Sequence, residues 1–203
     1  SASEELLDPK ATLAFAGKLL DGKPSEEFLS TKTADLSWGF DNLSRFRVNI
    51  YFQRGSVALA IRRIPFAIPS FEELGLPEIV KEFALRPNGL VLITGPAGSG
   101  KSTTLAAMID YINHNRQMHV ICIEDPIEYL HHHHRSVVEQ REIGDDARSF
   151  SEALRSVFRQ SPDVIMVGEM RDIETMQLVL CLAETGHLIL ATLHTQDTTH
   201  AVN

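Results

Sequence analysis

Four short runs from residue 90 onward, residues 90–94, 120–123, 164–167 and 188–193, are almost wholly apolar. A strand that is apolar on both faces has to be covered on both, which is the situation of a parallel sheet between two helical layers. Helical patterns fall between these runs. Residues 102–113 follow the first. Residues 149–160 carry Phe150, Ala153, Leu154, Val157 and Phe158 on one face, with Ser149 and Glu152 spaced for a capping box. Ile173, Met176, Val179, Leu180 and Ala183 mark a further helix. Alternating strand and helix predicts an α/β fold.

The turn after the first run is Gly95-Pro96-Ala97-Gly98-Ser99-Gly100-Lys101-Ser102, a complete GxxxxGK[ST] motif with Thr103 beyond it. Its glycines let backbone N–H groups wrap a phosphate with no Cβ in the way. Lys101 supplies a cation for the β- and γ-phosphates, Ser102 a hydroxyl for Mg²⁺, and the following helix its positive end. The expected ligand is a nucleoside triphosphate.

Two acidic groups end later strands. Glu124-Asp125-Pro126-Ile127-Glu128 follows residues 120–123, and Gly168-Glu169-Met170-Arg171-Asp172 follows residues 164–167. Open α/β sheets gather their chemistry at the carboxyl ends of strands. Glu169, Asp125 and Glu128 are therefore candidate Mg²⁺ ligands beside Ser102. Glu169 and Glu124 are both candidates to orient the attacking water, and the sequence does not choose between them. His194, at the carboxyl end of the last run, is placed to sense a γ-phosphate. His187 begins that run at the opposite end, where a role in catalysis and a role in packing are equally open. The run His131-His132-His133-His134 reads as decoration of an exposed loop, because consecutive residues splay and share one tetrahedral ion poorly. Cys122 and Cys181 lie in apolar surroundings and read as reduced core residues.

The first 64 residues differ in texture. Leu13, Phe15, Ala16, Leu19 and Leu20 keep helical spacing up to Asp21-Gly22. Phe46, Val48, Ile50 and Phe52 alternate with Arg45, Arg47, Asn49 and Tyr51, and Val57, Leu59 and Ile61 alternate after the turn Gln53-Arg54-Gly55-Ser56. A two-residue loop at Arg54-Gly55 sets Val48 opposite Ile61 and Arg47 opposite Arg62. Like charges in that position are either splayed into solvent or gripping an anion. Four prolines between Pro65 and Pro87 predict a linker with one short helix. The expected organisation is residues 1–66, an α+β domain incomplete at its start; 67–88, the linker; and 89–203, the phosphate-binding core. The chain stops shortly after a strand, so the core too reads as incomplete.

Composition narrows the function. Lys plus Arg is 19 and Asp plus Glu 27, giving a net charge of −8. Nucleic-acid binders are usually basic because they neutralise phosphates. The sequence has neither a membrane-length apolar run nor a signal peptide, so a cytoplasmic location is expected.

Taken together, Arg45-Phe-Arg-Val-Asn49, the phosphate loop, Ile123-Glu-Asp-Pro-Ile-Glu128, Gln140-Arg-Glu-Ile-Gly144, Val167-Gly-Glu-Met-Arg-Asp172 and Ala183-Glu-Thr-Gly-His187 resemble the motor ATPases of type IV pili and type II secretion systems. The resemblance covers nearly all of residues 36–203. It implies a RecA-like core preceded by a small PAS-like domain, and places that family's Walker A, Asp box, Walker B and His box on residues 95–102, 124–128, 163–169 and 187–194. It also implies inter-subunit arginines at Arg47 and Arg62, a homo-hexamer driven by ATP with Mg²⁺, and an inner-membrane pilus platform protein as partner. Gln140-Arg-Glu and Gly168-Glu-Met-Arg favour the retraction type. The alternatives are an assembly or secretion ATPase of the same family and, in a different class, a RecA-like nucleic-acid translocase, against which the acidic charge counts.

Overall fold

The computed structural model describes residues 7–20, 26–40, 44–65 and 67–193. The chain divides into two compact units, Ser1–Pro65 and Phe66–Asn203.

The first unit is α+β. Helix α1 (Pro9–Leu19) starts where Asp8 accepts a hydrogen bond from the Ala11 amide at 2.7 Å, with proline in the first turn. A short α2 (Glu26–Thr31) and three antiparallel strands follow, β1 (Thr33–Phe40), β2 (Ser44–Gln53) and β3 (Ser56–Ile64), in that spatial order. The β2–β3 register is the one the turn demands: Val48 pairs with Ile61 and Arg47 with Arg62. Arg54 and Gly55 both take positive φ, 49° and 79°, as a twist-matched two-residue hairpin loop requires. Ala16, Phe28, Val48, Ile50 and Val57 form the core. The apolar stripes are wider than this core: Leu13, Phe15, Phe52 and Ile61 remain exposed. The strand β1 alternates, with Ala34, Leu36 and Trp38 packed on the core, yet it was not among the expected strands, and α2 at six residues is too short to show a helical period; Asp21-Gly22 lies outside the described residues.

The second unit contains a five-stranded, wholly parallel sheet in the order β4 (Gly89–Thr94), β8 (Leu188–Leu193), β7 (Val164–Val167), β5 (His119–Glu124), β6 (Val137–Glu142). Helix α4 (Lys101–Asn115) covers one face, where Leu105, Met108, Ile109 and Ile112 pack on Val120, Cys122, Val164 and Leu190. Helices α5 (Phe150–Val157) and α6 (Ile173–Glu184) cover the other, over Ile121, Ile123, Ile165 and Ile189. Side chains alternate between faces along each strand, so neighbours in sequence serve different cores. The edge strand β6, Val-Val-Glu-Gln-Arg-Glu, is polar at four of its six positions and escaped the sequence reading.

The proline-marked stretch before β4 is packed. Phe71 and Ala84 are buried with Leu105 and Met108, Phe71 meets Tyr111 edge to face at 5.2 Å, and α3 (Ile79–Ala84) lies within it. Cys122 is buried but Cys181 is exposed, contrary to the expectation that both are core residues, because Cys181 lies on the outer side of α6.

Candidate functional site

The carboxyl edge of the parallel sheet gathers the phosphate loop and both acidic groups. The loop leaves β4 at Gly95 and enters α4 at Lys101. Gly95, Gly98 and Gly100 all have positive φ, 150°, 77° and 91°, and a Cβ on Gly95 would come within 2.8 Å of Ser99 Oγ. Gly100 caps α4 with no side-chain acceptor and no acid in the first turn, which leaves the positive end of the helix to an anion. Pro96, Ala97, Gly98 and Ser99 form the exposed crown of the loop, and the Ser99 amide donates to the Pro96 carbonyl at 3.3 Å. Lys101, only 7% exposed, donates its ammonium to the carbonyls of Gly95 (2.9 Å) and Pro96 (3.0 Å). Its charge is thus held along the loop. Ser102 and Thr103 are half-buried in the first turn of α4, and Thr103 Oγ1 lies 3.2 Å from the Tyr129 hydroxyl.

The ends of β5, β7 and β8 are tied together at Gly168. Its amide donates to the Ile123 carbonyl at 2.8 Å, its carbonyl accepts from Thr192 Oγ1, and Met170 N–H reaches the Thr192 carbonyl at 3.0 Å. A Cβ at residue 168 would stand 3.3 Å from both Glu124 Cα and the Ile123 carbonyl oxygen, so only glycine lets these backbones approach unhindered. The two acidic groups are joined by a residue the sequence reading gave no role. Arg171 donates to Glu169 at 2.8 Å and to Asp125 at 3.3 Å. Glu169 is 17% exposed at its side chain and Asp125 34%, so this is a partly screened bridge at the rim. Glu128 is exposed on the same loop as Asp125.

Glu124 has a different environment from Glu169. Its carboxyl, on a residue 7% exposed, accepts from Gln140 Nε2 at 2.9 Å and from the Glu128 amide at 3.4 Å. Burial dominates and lifts it from 4.5 to about 7, against those two bonds, with Glu128 and Glu142 nearby adding repulsion. Such a carboxyl can take and release a proton near neutrality, as a general base must.

His187 is not brought to this edge. Leu188 stands level with Gly89 and Leu193 with Thr94, so His187 lies a strand length, roughly 17 Å, from the phosphate loop. Its Nδ1 is bonded to the Leu182 carbonyl at 2.9 Å, at the end of α6. His194 lies outside the described residues. Arg47 and Arg62 pair across the hairpin of the first unit.

The histidine run lies in a loop with His132, His133 and His134 exposed, as expected, but His131 is half-buried and the backbone of the run is tied down. Asn113, fully buried in α4, donates to the His132 carbonyl at 2.6 Å and accepts from His134 and Ser136 amides at 3.1 and 3.3 Å. The His133 ring accepts from Val138 N–H at 3.1 Å, and the His134 ring lies 4.0 Å from that of His114. Burial lowers His131 from 6.5 to about 4. The rings diverge, and no group of three or more metal-ligating side chains occurs among the described residues.

A parallel sheet whose first strand runs through a Gly-Lys-Ser loop into a helix, with acidic strand ends beside it, defines a P-loop protein of the RecA-like kind. The chain belongs to the Type II/IV secretion system protein family, whose model matches residues 45–203. It is 49% identical to the type IV pilus retraction ATPase PilT of Pseudomonas aeruginosa over 181 residues, 89% of this chain and 52% of PilT. Against the type IV pilus ATPase PilU of the same organism it is 45% identical over 196 residues, 97% of this chain and 51% of PilU. Among solved structures it superposes on the pilus retraction motor PilT with bound ADP at a TM-score of 0.83, with 53% identity, covering 88% of this chain and 53% of that one. The chain spans about half the length of these relatives.

Proposed function

We propose that this chain is the nucleotide-binding and catalytic portion of an ATP-hydrolysing motor that powers type IV pilus retraction. The observation that carries the reading is the shared carboxyl edge: a phosphate loop with its lysine in place, and two acidic strand ends coupled through Arg171. Identity of 49% to a retraction ATPase supports the pilus role.

Lys101 and the backbone N–H groups of the loop, Pro96 excepted because it has none, bind the β- and γ-phosphates. Ser102, Glu169, Asp125 and Glu128 offer only oxygen donors, the set a hard cation takes; Mg²⁺ typically uses one or two such side chains with phosphate oxygens and water. When bound, the cation neutralises charge on the transferring phosphate. Glu124, poised near neutrality, orients the attacking water and accepts its proton. Arg171 keeps Glu169 and Asp125 from repelling each other. Arg47 and Arg62 approach the γ-phosphate of a neighbouring subunit in a homo-hexamer, so that hydrolysis removes a tie between parts. The motor works at the cytoplasmic face of the inner membrane against a platform protein; no described helix is long and apolar enough to cross a membrane.

The test uses the complete protein. Lys101→Ala abolishes most ATP binding in a calorimetric titration, whereas Glu169→Gln and Glu124→Gln bind ATP and hydrolyse it slowly. Mixing Lys101→Ala subunits with Arg47→Ala, Arg62→Ala subunits restores part of the turnover that each lacks alone. Wild-type protein that releases no phosphate from ATP refutes the proposal.

A further inference from the structure

The motif Gln140-Arg141-Glu142 on β6 has no part in the chemistry above, yet all three side chains are engaged. Gln140 and Glu142 lie two residues apart and so project to the same face, the one that carries Glu124 and α4. Gln140 Nε2 donates both to Glu124 Oε1 (2.9 Å) and to the Tyr129 carbonyl (2.8 Å), while its Oε1 accepts from the His131 amide (2.9 Å). The orientation of the amide is fixed by its partners, since reversing it would set donors against the His131 N–H. Glu142 Oε2 accepts from the Ile127 amide at 3.2 Å. Arg141 faces the other way and pins β6 to the far layer through Ser156 Oγ (2.7 Å) and the Asp146 carbonyl (3.1 Å).

These bonds fall on every second residue of one loop, 127, 129 and 131, and on the carboxyl of Glu124 where that loop begins. The same loop carries the Tyr129 hydroxyl, 3.2 Å from Thr103 Oγ1 beside Ser102. The edge strand therefore holds the acidic loop at one end while the loop itself reaches the phosphate-binding helix at the other. We propose that Gln140 is a positioning residue for hydrolysis: by bonding the Glu124 carboxyl and the backbone of Tyr129 and His131 at once, it fixes where Glu124 stands relative to the phosphate loop.

The inference rests on the reading of this chain as an ATPase and assigns that site a residue acting through Glu124. Its test is a double-mutant cycle in the complete protein with Gln140→Met, which keeps length and removes the amide, and Glu124→Gln. Steady-state and single-turnover hydrolysis, ATP affinity and thermal melting are measured for each. Gln140→Met lowers kcat by roughly 10- to 100-fold, the scale of a misplaced catalytic group, with ATP affinity within about threefold of wild type on the same logic of a group that acts on turnover rather than binding. In the Glu124→Gln background the same substitution has no further effect, because the group it positions is gone.

Gln140→Asn, which withdraws the amide by one methylene, gives the same pattern and carries the test if the methionine variant does not fold. Unchanged kcat in both position-140 variants overturns the inference. So does a loss that multiplies with that of Glu124→Gln, or wild-type turnover in Glu124→Gln itself. Wild-type protein without turnover instead refutes the ATPase reading, so the two failures are distinguishable.

Discussion

Glu124→Gln trades stability against function in a pH-dependent way, and the size of the effect follows from where the carboxyl sits. Burial raises Glu124 from 4.5 to about 7 in the folded chain. Between those values the unfolded chain gives up the proton and the folded chain keeps it, so this group's contribution is fully present below pH 4.5 and is lost as pH rises to about 7. The loss is on the order of 3 kcal/mol. His131 acts in the opposite sense over nearly the same window. Burial lowers it from 6.5 to about 4, so the folded chain resists its protonation and stability rises with pH across that range, again by on the order of 3 kcal/mol. The two slopes nearly cancel in the wild type and separate only when one group is removed.

In Glu124→Gln the new side chain retains one acceptor for Gln140 and gives up the long bond from the Glu128 amide, at a cost of about 1 kcal/mol. The variant is therefore slightly less stable than wild type near pH 4.5 and about 2 kcal/mol more stable at pH 8. For a chain of this size that is roughly 4–8 °C in melting temperature. The assay is thermal or urea unfolding of both proteins from pH 4.5 to 8 without nucleotide or Mg²⁺. A difference between variant and wild type that stays constant across this range refutes the reasoning, for it would mean that Glu124 is ionised in the folded chain at its ordinary value.

Asn113→Leu removes the acceptor for two amides and the donor to the His132 carbonyl inside the core, and lowers stability by roughly 2–4 kcal/mol; hydrogen exchange at His134 and Ser136 accelerates with it, and a loss below about 0.5 kcal/mol contradicts the role. Gly168→Val presses two branches against the backbone of β5, whose atoms cannot rotate away, and costs roughly 1–3 kcal/mol in urea unfolding. Wild-type stability in that variant would show that the strand ends do not pack as closely as described.

The apolar runs, the phosphate loop and the hairpin were legible in the sequence because each is decided locally. A strand apolar on both faces has one kind of solution. A Gly-rich loop between strand and helix carries its geometry in its own φ angles, and the Arg54-Gly55 turn fixes its register residue by residue, down to Arg47 against Arg62. What stayed hidden depends on partners distant in sequence. The strand β6 reads as polar because it lies at an edge and spends its side chains on a loop. Arg171 gains its place only when β7 and β5 lie side by side, bringing Asp125 within 3.3 Å across 46 positions of sequence. The histidine run is solvent-facing at His132–His134, but the anchoring of its backbone was not legible, because that comes from Asn113, some twenty positions away. The difference between Glu124 and Glu169, two glutamates at two strand ends, is likewise tertiary. One is buried beside other acids and the other is bridged at the rim by an arginine, and only the packed sheet buries Glu124 deeply enough to lift its carboxyl toward neutrality.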